Sequence, residues 1–215
     1  MRMRILYIGG PGNISGSAIQ ASAEEGHRLW VLTGSARSGH GLMSSVRFLQ
    51  GNRNVAEELR AAVAEAKPDV VVDTICFSPA QAKATIEACR GKTGRVVFVS
   101  TVDVYGYPLS HIPMGEGDKR RLPVSAYAAD KAEYELRFQE AATEGAFGLT
   151  IARPAYSFGR NFVLDFFSRS GGPNLVARLR KGLPLVVPRG WGGIHARLLG
   201  VEHRADASGP GNRPE

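Results

Sequence analysis

The spacing of Tyr127 and Lys131, four residues apart in "YAADK", suits acid–base chemistry. Residues at positions i and i+4 share one face of a helix, and the surrounding alanine-rich pattern predicts a helix over residues 125–144. A lysine ammonium beside a phenol favours the phenolate and lowers the phenol pKa. Such a phenol can exchange a proton with an alcohol or ketone oxygen, so Tyr127 and Lys131 are the candidate catalytic pair.

Two hydroxyl residues, Ser100 and Thr101, follow the apolar run "RVVFV". This run predicts a strand over residues 95–100, and open α/β sheets bind their ligands at the carboxyl ends of the strands. The Thr101 hydroxyl at that end can hydrogen-bond a substrate oxygen and orient it towards Tyr127. The alternative is that Thr101 is an ordinary β-strand threonine whose hydroxyl is hydrogen-bonded within the protein.

A glycine-rich stretch, "GGPGNISG", occupies residues 9–16, directly after the first apolar run. Glycine allows the backbone to approach a pyrophosphate closely, and the start of the following helix directs unpaired N–H groups at the phosphates. The spacing is Gly9-x-x-Gly12-x-x-Ser15, with serine where a third glycine often stands. The stretch predicts a dinucleotide site, and an ordinary strand-to-helix turn is the alternative.

The segment after the second apolar run, "VLTGSARSG", concerns the choice of cofactor. An acidic residue there would bind the ribose 2′-hydroxyl of NAD, and the segment contains none. Arg37 can instead face a 2′-phosphate, although it can equally be a plain loop arginine. We therefore predict NADP as the preferred cofactor, with NAD as the alternative.

These residues need a scaffold, and the chain alternates strand-like with helix-like segments. Predicted strands cover 4–9, 28–33, 70–73, 95–100 and 149–153, with a weaker one at 46–49; predicted helices cover 15–26, 55–66, 79–90 and 125–144. Such alternation predicts a doubly wound α/β fold, with a parallel sheet covered by helices on both faces. A short helix at 174–181 and a short strand at 185–187 are predicted beyond it.

Composition narrows the function classes. The 215 residues carry a net charge of +7, which favours anionic partners such as a phosphorylated cofactor. The densest basic run, residues 119–121, lies in a predicted loop, so nucleic acid is not expected as a partner. No apolar stretch is long enough to span a bilayer, and membrane association is not expected. Cys76 and Cys89 have no metal-ligand or disulfide spacing and predict buried thiols in a reducing cytoplasm.

Four segments together resemble a known family: "GGPGNISG", "STVDVYG", "YAADK" and "IARPAYSFG". Their order and spacing are similar to those of the extended or atypical short-chain dehydrogenase/reductase superfamily, the NAD-dependent epimerase/dehydratase group, over residues 3–190. The resemblance implies a Rossmann fold and relatives that act mainly on nucleotide-linked sugars or small carbonyl compounds. Relatives often pair through the helices at 79–90 and 125–144, but this sequence neither requires nor excludes a homodimer.

The resemblance also implies roles for individual residues. Thr101 would orient the substrate oxygen, Tyr127 would be the acid–base residue, and Lys131 would bind the ribose. The implied cofactor contacts are the pyrophosphate loop Gly9, Gly12, Asn13, Ile14 and Ser15, the adenine-side Asn52 and Arg53, the lining residues Thr74, Ile75, Cys76 and Ser100, and Pro154 near the nicotinamide. Asn52 stands where relatives usually have an acidic residue.

The C-terminal part departs from the family pattern. Relatives continue beyond the segment matching "KGLPLVVPRG" through a strand and a His-x-Asp-Asp-like turn, and neither is found here. We therefore expect a cofactor domain at 1–154, a small, incomplete substrate-binding lobe at 155–200, and a disordered tail at 201–215 in a truncated chain. Phe162, Phe166, Phe167 and Leu175 would then be poorly covered.

The leading hypothesis is a nicotinamide-dependent enzyme that acts on a small-molecule substrate. Dehydratases of the group have an Asp-Glu pair after the threonine, whereas Val102 and Asp103 stand here. This difference favours an epimerase or reductase over a dehydratase. The alternatives are a non-catalytic, dinucleotide-sensing or RNA-associated Rossmann protein, and an inactive truncated family member.

Overall fold

A computed structural model describes residues 1–34, 45–106, 111, 113–118, 125–155, 157 and 180–182. Six strands form one parallel sheet: β1 (Arg4–Ile8), β2 (Arg28–Thr33), β3 (Val46–Gln50), β4 (Val70–Asp73), β5 (Arg95–Val99) and β6 (Gly148–Ala152). Their spatial order is β3-β2-β1-β4-β5-β6. The order reverses between β1 and β4, so the crevice between these two strands is where such a fold binds its ligand.

Within the described residues, four α-helices and one short 3₁₀ helix connect the strands. They are α1 (Asn13–Glu24), α2 (Ala56–Ala66), α3 (Pro79–Cys89), α4 (Ala126–Thr143) and the 3₁₀ helix Val102–Tyr105 after β5. The sheet has an apolar cluster on each face. One includes Leu59, Phe98 and Phe138, and the other includes Tyr7 and Ile19. The predicted doubly wound fold is therefore confirmed.

Local sequence signals explain where the helices begin. Ser78 and Ser125 precede α3 and α4, and each side-chain oxygen accepts a hydrogen bond from the backbone N–H three residues on, at Gln81 and Ala128. This N-cap satisfies an N–H group that has no carbonyl partner inside the helix. Helix α1 begins at Asn13, two residues earlier than predicted, so the end of the glycine-rich stretch forms its first turn.

Several sequence predictions lie outside the described residues. They are Arg37, the basic run 119–121, the apolar residues Phe162, Phe166, Phe167 and Leu175, most of the helix at 174–181, and the strand at 185–187. The chain divides into two compact units, Met1–Phe162 and Val163–Glu215. The sheet, its helices and both grooves of the candidate site lie in the first unit, and the domain boundary expected at residue 154 stays a prediction.

The two cysteines are buried and unpaired with each other, as the sequence predicts. Burial raises the pKa of both thiols to about 12, which keeps them protonated at neutral pH. Among the helices in the described part of the chain, none has the length and apolar character needed to cross a membrane.

Candidate active site

The glycine-rich loop joins β1 to α1 at the carboxyl edge of the sheet. Gly9 has φ of +88°, and a Cβ there would lie 2.7 Å from the Ile75 side chain, so this position needs glycine. The Gly12 N–H donates to Ser15 Oγ at 2.8 Å, which ties the loop to the first turn of α1. Ser15 thus serves loop geometry at the place where a third glycine is typical.

Two adjoining grooves open at this edge, with volumes of about 350 and 370 Å³. The glycine-loop groove is lined by Gly10–Ser15, Thr74, Ile75 and Ser157. The second groove is lined by Gly9, Gly10, Leu32–Gly34, Gly51–Asn54, Ile75, Phe77 and Gln81. The loop and Ile75 border both, so the two grooves can hold the two parts of an elongated ligand.

These grooves fit a dinucleotide. The first-turn N–H groups of α1 have no carbonyl partner inside the helix, and they border the glycine-loop groove. The Ser100 hydroxyl, at the end of β5, is buried and has no hydrogen-bond partner among the described residues. Buried hydroxyls are rarely left without a partner, so Ser100 Oγ is suited to bonding a ligand.

Arg53 is directed into the protein rather than across the second groove. Its guanidinium pairs with the buried Asp73 carboxylate at 3.0 Å and donates to the Ile75 and Gln81 carbonyls and to Thr85 Oγ1. This network holds the loop after β3 against β4 and α3. The cofactor contact predicted for Arg53 stays a prediction, but its charged end is already occupied by protein acceptors.

Asn52, the other predicted adenine-side residue, is exposed at the second groove. Its Oδ1 accepts a hydrogen bond from Asn54 N at 2.9 Å, and its own N–H donates to Glu58 Oε2 at 2.7 Å. The carboxylate of Glu58 therefore stabilises the loop backbone. The NH₂ group of the Asn52 side-chain amide stays available as a hydrogen-bond donor.

The three predicted lining residues after β4 have different positions. Thr74 and Ile75 border the glycine-loop groove, and Thr74 Oγ1 donates to the Ile8 carbonyl at 3.0 Å. Cys76 lies in the apolar cluster with no exposed surface. The backbone of Cys76 can still border the site, but its thiol is directed into the core.

The predicted substrate-orienting residue, Thr101, caps the 3₁₀ helix that follows β5. Its Oγ1 accepts a hydrogen bond from Asp103 N at 3.2 Å, which leaves the hydroxyl hydrogen able to donate. Backbone bonds from Ser100 N to Ala152 O and from Val102 N to Pro154 O join the ends of β5 and β6. The structure therefore places Thr101 and Pro154 at the same edge of the sheet.

Tyr127 and Lys131 lie one turn apart at the start of α4. The Tyr127 side chain is 45% exposed, whereas Lys131 is only 2% exposed. Lys131 Nζ donates to the Val99 carbonyl at 2.9 Å and lies 5.8 Å from the centre of the Tyr127 ring. The helix thus brings the predicted pair together, next to the end of β5 that carries Thr101.

The expected lowering of the Tyr127 pKa is wrong for this structure. Burial raises the pKa of the phenol, and the negative charge of Asp103 raises it further. Burial also shifts the pKa of Lys131, in this case downwards. The negative charges of Asp73 and Glu135 oppose that lowering but are outweighed by the burial. Helical spacing predicted the neighbours correctly, but the desolvation of each group decided the direction of its shift.

Replacing Asp103 by Asn is expected to lower the pKa of Tyr127 and to leave it above the usual tyrosine value. The substitution removes a negative charge that opposes phenolate formation, while the burial of the ring remains. Phenolate absorbance during an alkaline titration, with the curve of Tyr127→Phe subtracted, measures this shift. An unchanged or higher Tyr127 pKa in Asp103→Asn would contradict the assignment.

Two residues that line the second groove, Phe77 and Gln81, were not predicted from the sequence as site residues. Gln81 Oε1 accepts from Phe77 N at 2.6 Å, and Gln81 Nε2 donates to Asn54 Oδ1 at 2.6 Å, so Gln81 bridges two loops of the groove. The signal for Gln81 was present: Ser78-Pro-Ala-Gln81 has the spacing of a capping box. Phe77 carried no such signal.

A second buried network, between Glu135, Arg153 and Tyr105, was also missed. The Glu135 carboxylate receives two hydrogen bonds from the Arg153 guanidinium, at 2.9 and 2.8 Å, and Arg153 donates to Tyr105 Oη at 2.6 Å. Glu135 follows Tyr127 and Lys131 on the same helix face. One guanidinium therefore joins α4, the end of β6 and the 3₁₀ helix that begins after Thr101.

The strand order and the glycine-rich loop between β1 and α1 define a Rossmann-type α/β fold. A sequence model of the NAD dependent epimerase/dehydratase family matches residues 5–196. The chain belongs to this family.

Individual relatives are longer than this chain. A 2′-dehydrokanamycin reductase from Streptomyces kanamyceticus is 31% identical over 151 residues, which are 70% of this chain and 42% of the relative. The Bordetella bronchiseptica enzyme WbmG, solved with NAD and UDP, has a TM-score of 0.68 at 19% sequence identity. The match covers 86% of this chain and 62% of the WbmG chain. A UDP-glucose 4-epimerase from Thermus thermophilus, solved with NAD, has a TM-score of 0.66 at 24% sequence identity. The match covers 85% of this chain and 64% of the epimerase chain.

Proposed function

We propose that this protein binds NADP and transfers a hydride between that cofactor and a sugar or other small carbonyl substrate, as a reductase or epimerase. The observation that carries the proposal is the convergence of Thr101, Tyr127 and Lys131 on the sheet edge that also bears the glycine loop. A ligand-binding protein without chemistry needs the loop but has no use for a proton-transfer set.

Each of the three side chains has a role in the proposed reaction. When bound, NADPH supplies the hydride. Tyr127 gives its phenolic proton to the carbonyl oxygen, which becomes an alcohol, and a raised pKa keeps that proton available at neutral pH. Thr101 donates a hydrogen bond to the same oxygen, and Lys131 contributes positive charge that stabilises the phenolate left on Tyr127.

The similar proteins support the substrate class. One is named a 2′-dehydrokanamycin reductase, one was solved with NAD and UDP, and one is a UDP-glucose 4-epimerase. Val102 and Asp103 in place of an Asp-Glu pair favour ketone reduction or epimerisation over dehydration. We therefore propose a ketone on a sugar ring, either nucleotide-linked or glycosidic, as the substrate.

The preference for NADP is proposed on charge. Leu32, Thr33 and Gly34, at the end of β2, line the second groove and include no carboxylate. A carboxylate at this position would repel a 2′-phosphate, so these residues are compatible with NADP. Arg37, from the loop after β2, is the proposed partner of the phosphate.

A fluorescence titration with NADPH and NADH tests the proposal, with Gly12→Asp as the diagnostic variant. Gly12 has φ of −115°, which any residue adopts, and a Cβ there would lie 3.3 Å from Ser15 Oγ, so the fold should tolerate the change with a small shift of that hydroxyl. The new carboxylate would face the phosphates, and we expect NADPH affinity to fall about 100-fold.

Gly117→Asp is the matched control, because Gly117 is exposed, has open space around its Cα and lies outside both grooves. It adds the same charge and should leave affinity unchanged. Binding that survives Gly12→Asp would refute the glycine-loop site. Tighter binding of NADH than of NADPH would refute the cofactor preference alone.

A further inference from the structure

The Lys131 ammonium is covered by aromatic rings. Its Nζ lies 4.8 Å from the ring centre of Phe77, 5.1 Å from that of Phe98 and 5.8 Å from that of Tyr127. One N–H bonds the Val99 carbonyl, and an ammonium has three. The remaining two face a shell of rings, and the whole side chain is nearly inaccessible to a ligand.

Phe77 is the movable member of this cover. Phe98 is fully buried in β5, the Tyr127 ring on α4 is 45% exposed, and the Phe77 side chain is the most exposed of the three at 56%. Its backbone N–H is anchored to Gln81 Oε1, so the main chain can stay in place while the ring changes rotamer.

Phe77 also connects the two halves of the site. Its ring contacts Lys131, and the same residue lines the second groove with Asn52 and Gln81. A ligand that reaches from the second groove to Lys131 would therefore pass close to this ring.

We propose that Phe77 is a cofactor-site residue that covers Lys131 and swings aside when a ribose hydroxyl of the dinucleotide binds there. The identity of the ligand rests on the proposed function, but the cover itself does not. Phe77 thereby sets how fast a complete dinucleotide engages the catalytic lysine.

Labelling with an amine-reactive reagent, read by mass spectrometry, tests the cover without any cofactor. In Phe77→Ala we expect Lys131 to react about 2- to 30-fold faster than in the unmodified protein, the factor that corresponds to loss of a cation–π contact. Phe77→Leu keeps apolar bulk and should give an intermediate rate. The exposed Lys83 is the internal reference and should react equally in all three proteins. Equal Lys131 rates in the unmodified protein and Phe77→Ala would overturn the proposal.

Stopped-flow binding tests the link to the ligand. We expect NADPH to associate faster with Phe77→Ala, by a similar factor, and 2′,5′-ADP to associate at the same rate with both proteins, because this fragment lacks the second ribose. A faster Lys131 reaction with an unchanged NADPH rate would overturn the role in access while the cover stands. If NADPH does not bind to the unmodified protein, the proposed function is refuted, and with it the role of Phe77 in cofactor access. The labelling result would still decide whether Phe77 covers Lys131.

Discussion

Replacing Arg53 by Met should lower the free energy of unfolding by about 3–5 kcal/mol, the typical cost of removing one partner of a buried ion pair. The Asp73 carboxylate has no exposed surface and would keep only the hydrogen bonds from Thr85 Oγ1 and Ile75 N. The Ile75 and Gln81 carbonyls would also each lose the bond that Arg53 donates. Urea unfolding followed by circular dichroism measures the loss.

The chain contains a matched control for this prediction. Arg4 and Asp69 are also 3.0 Å apart, but their side chains are 42% and 44% exposed. Water can rehydrate Asp69 after Arg4→Met, so we expect that change to cost less than about 1 kcal/mol. Equal losses in the two variants would show that burial does not determine the contribution of Arg53.

Replacing Tyr127 by Phe should reduce kcat/KM by about 100- to 10,000-fold, the usual contribution of a positioned general acid. The ring and its packing remain, and only the proton donor is removed. NADPH affinity should change by less than about 5-fold, because the loss of one exposed polar contact costs at most about 1 kcal/mol. NADPH oxidation with a panel of keto-sugars, free and nucleotide-linked, provides the assay.

Tyr134→Phe is the control for Tyr127→Phe, since Tyr134 lies on the same helix but is buried in the core. It should leave turnover per folded molecule nearly unchanged. A dinucleotide-sensing protein would instead keep its full output in Tyr127→Phe. Undiminished turnover in that variant would remove Tyr127 from the reaction and favour the sensing alternative.

Much of the scaffold could be predicted from the sequence, because strand and helix periodicity is local. The apolar runs predicted all six strands to within a residue, and the predicted helices at 55–66 and 79–90 match α2 and α3. Leu59 and Val63, four residues apart on α2, share one helix face, and both are buried. The 3₁₀ helix after Thr101 was missed, since four residues carry too little periodicity to distinguish a helix from a turn.

The candidate site was predictable only where spacing along the chain sets geometry. Four residues on one helix bring Tyr127 to Lys131, and a glycine loop between a strand and a helix predicts its own place in the fold. The inward turn of Arg53 was not predictable, because Asp73 and Thr85 are 20 and 32 residues away along the chain.

The sequence by itself determined the alternating parallel fold, the position of the glycine loop and the one-turn spacing of Tyr127 and Lys131, because each depends on local pattern. The tertiary structure alone decided the direction of the Tyr127 pKa shift, the ion pairing of Arg53 and the covering of Lys131 by Phe77. These three depend on burial and on contacts between distant segments, which no local spacing specifies.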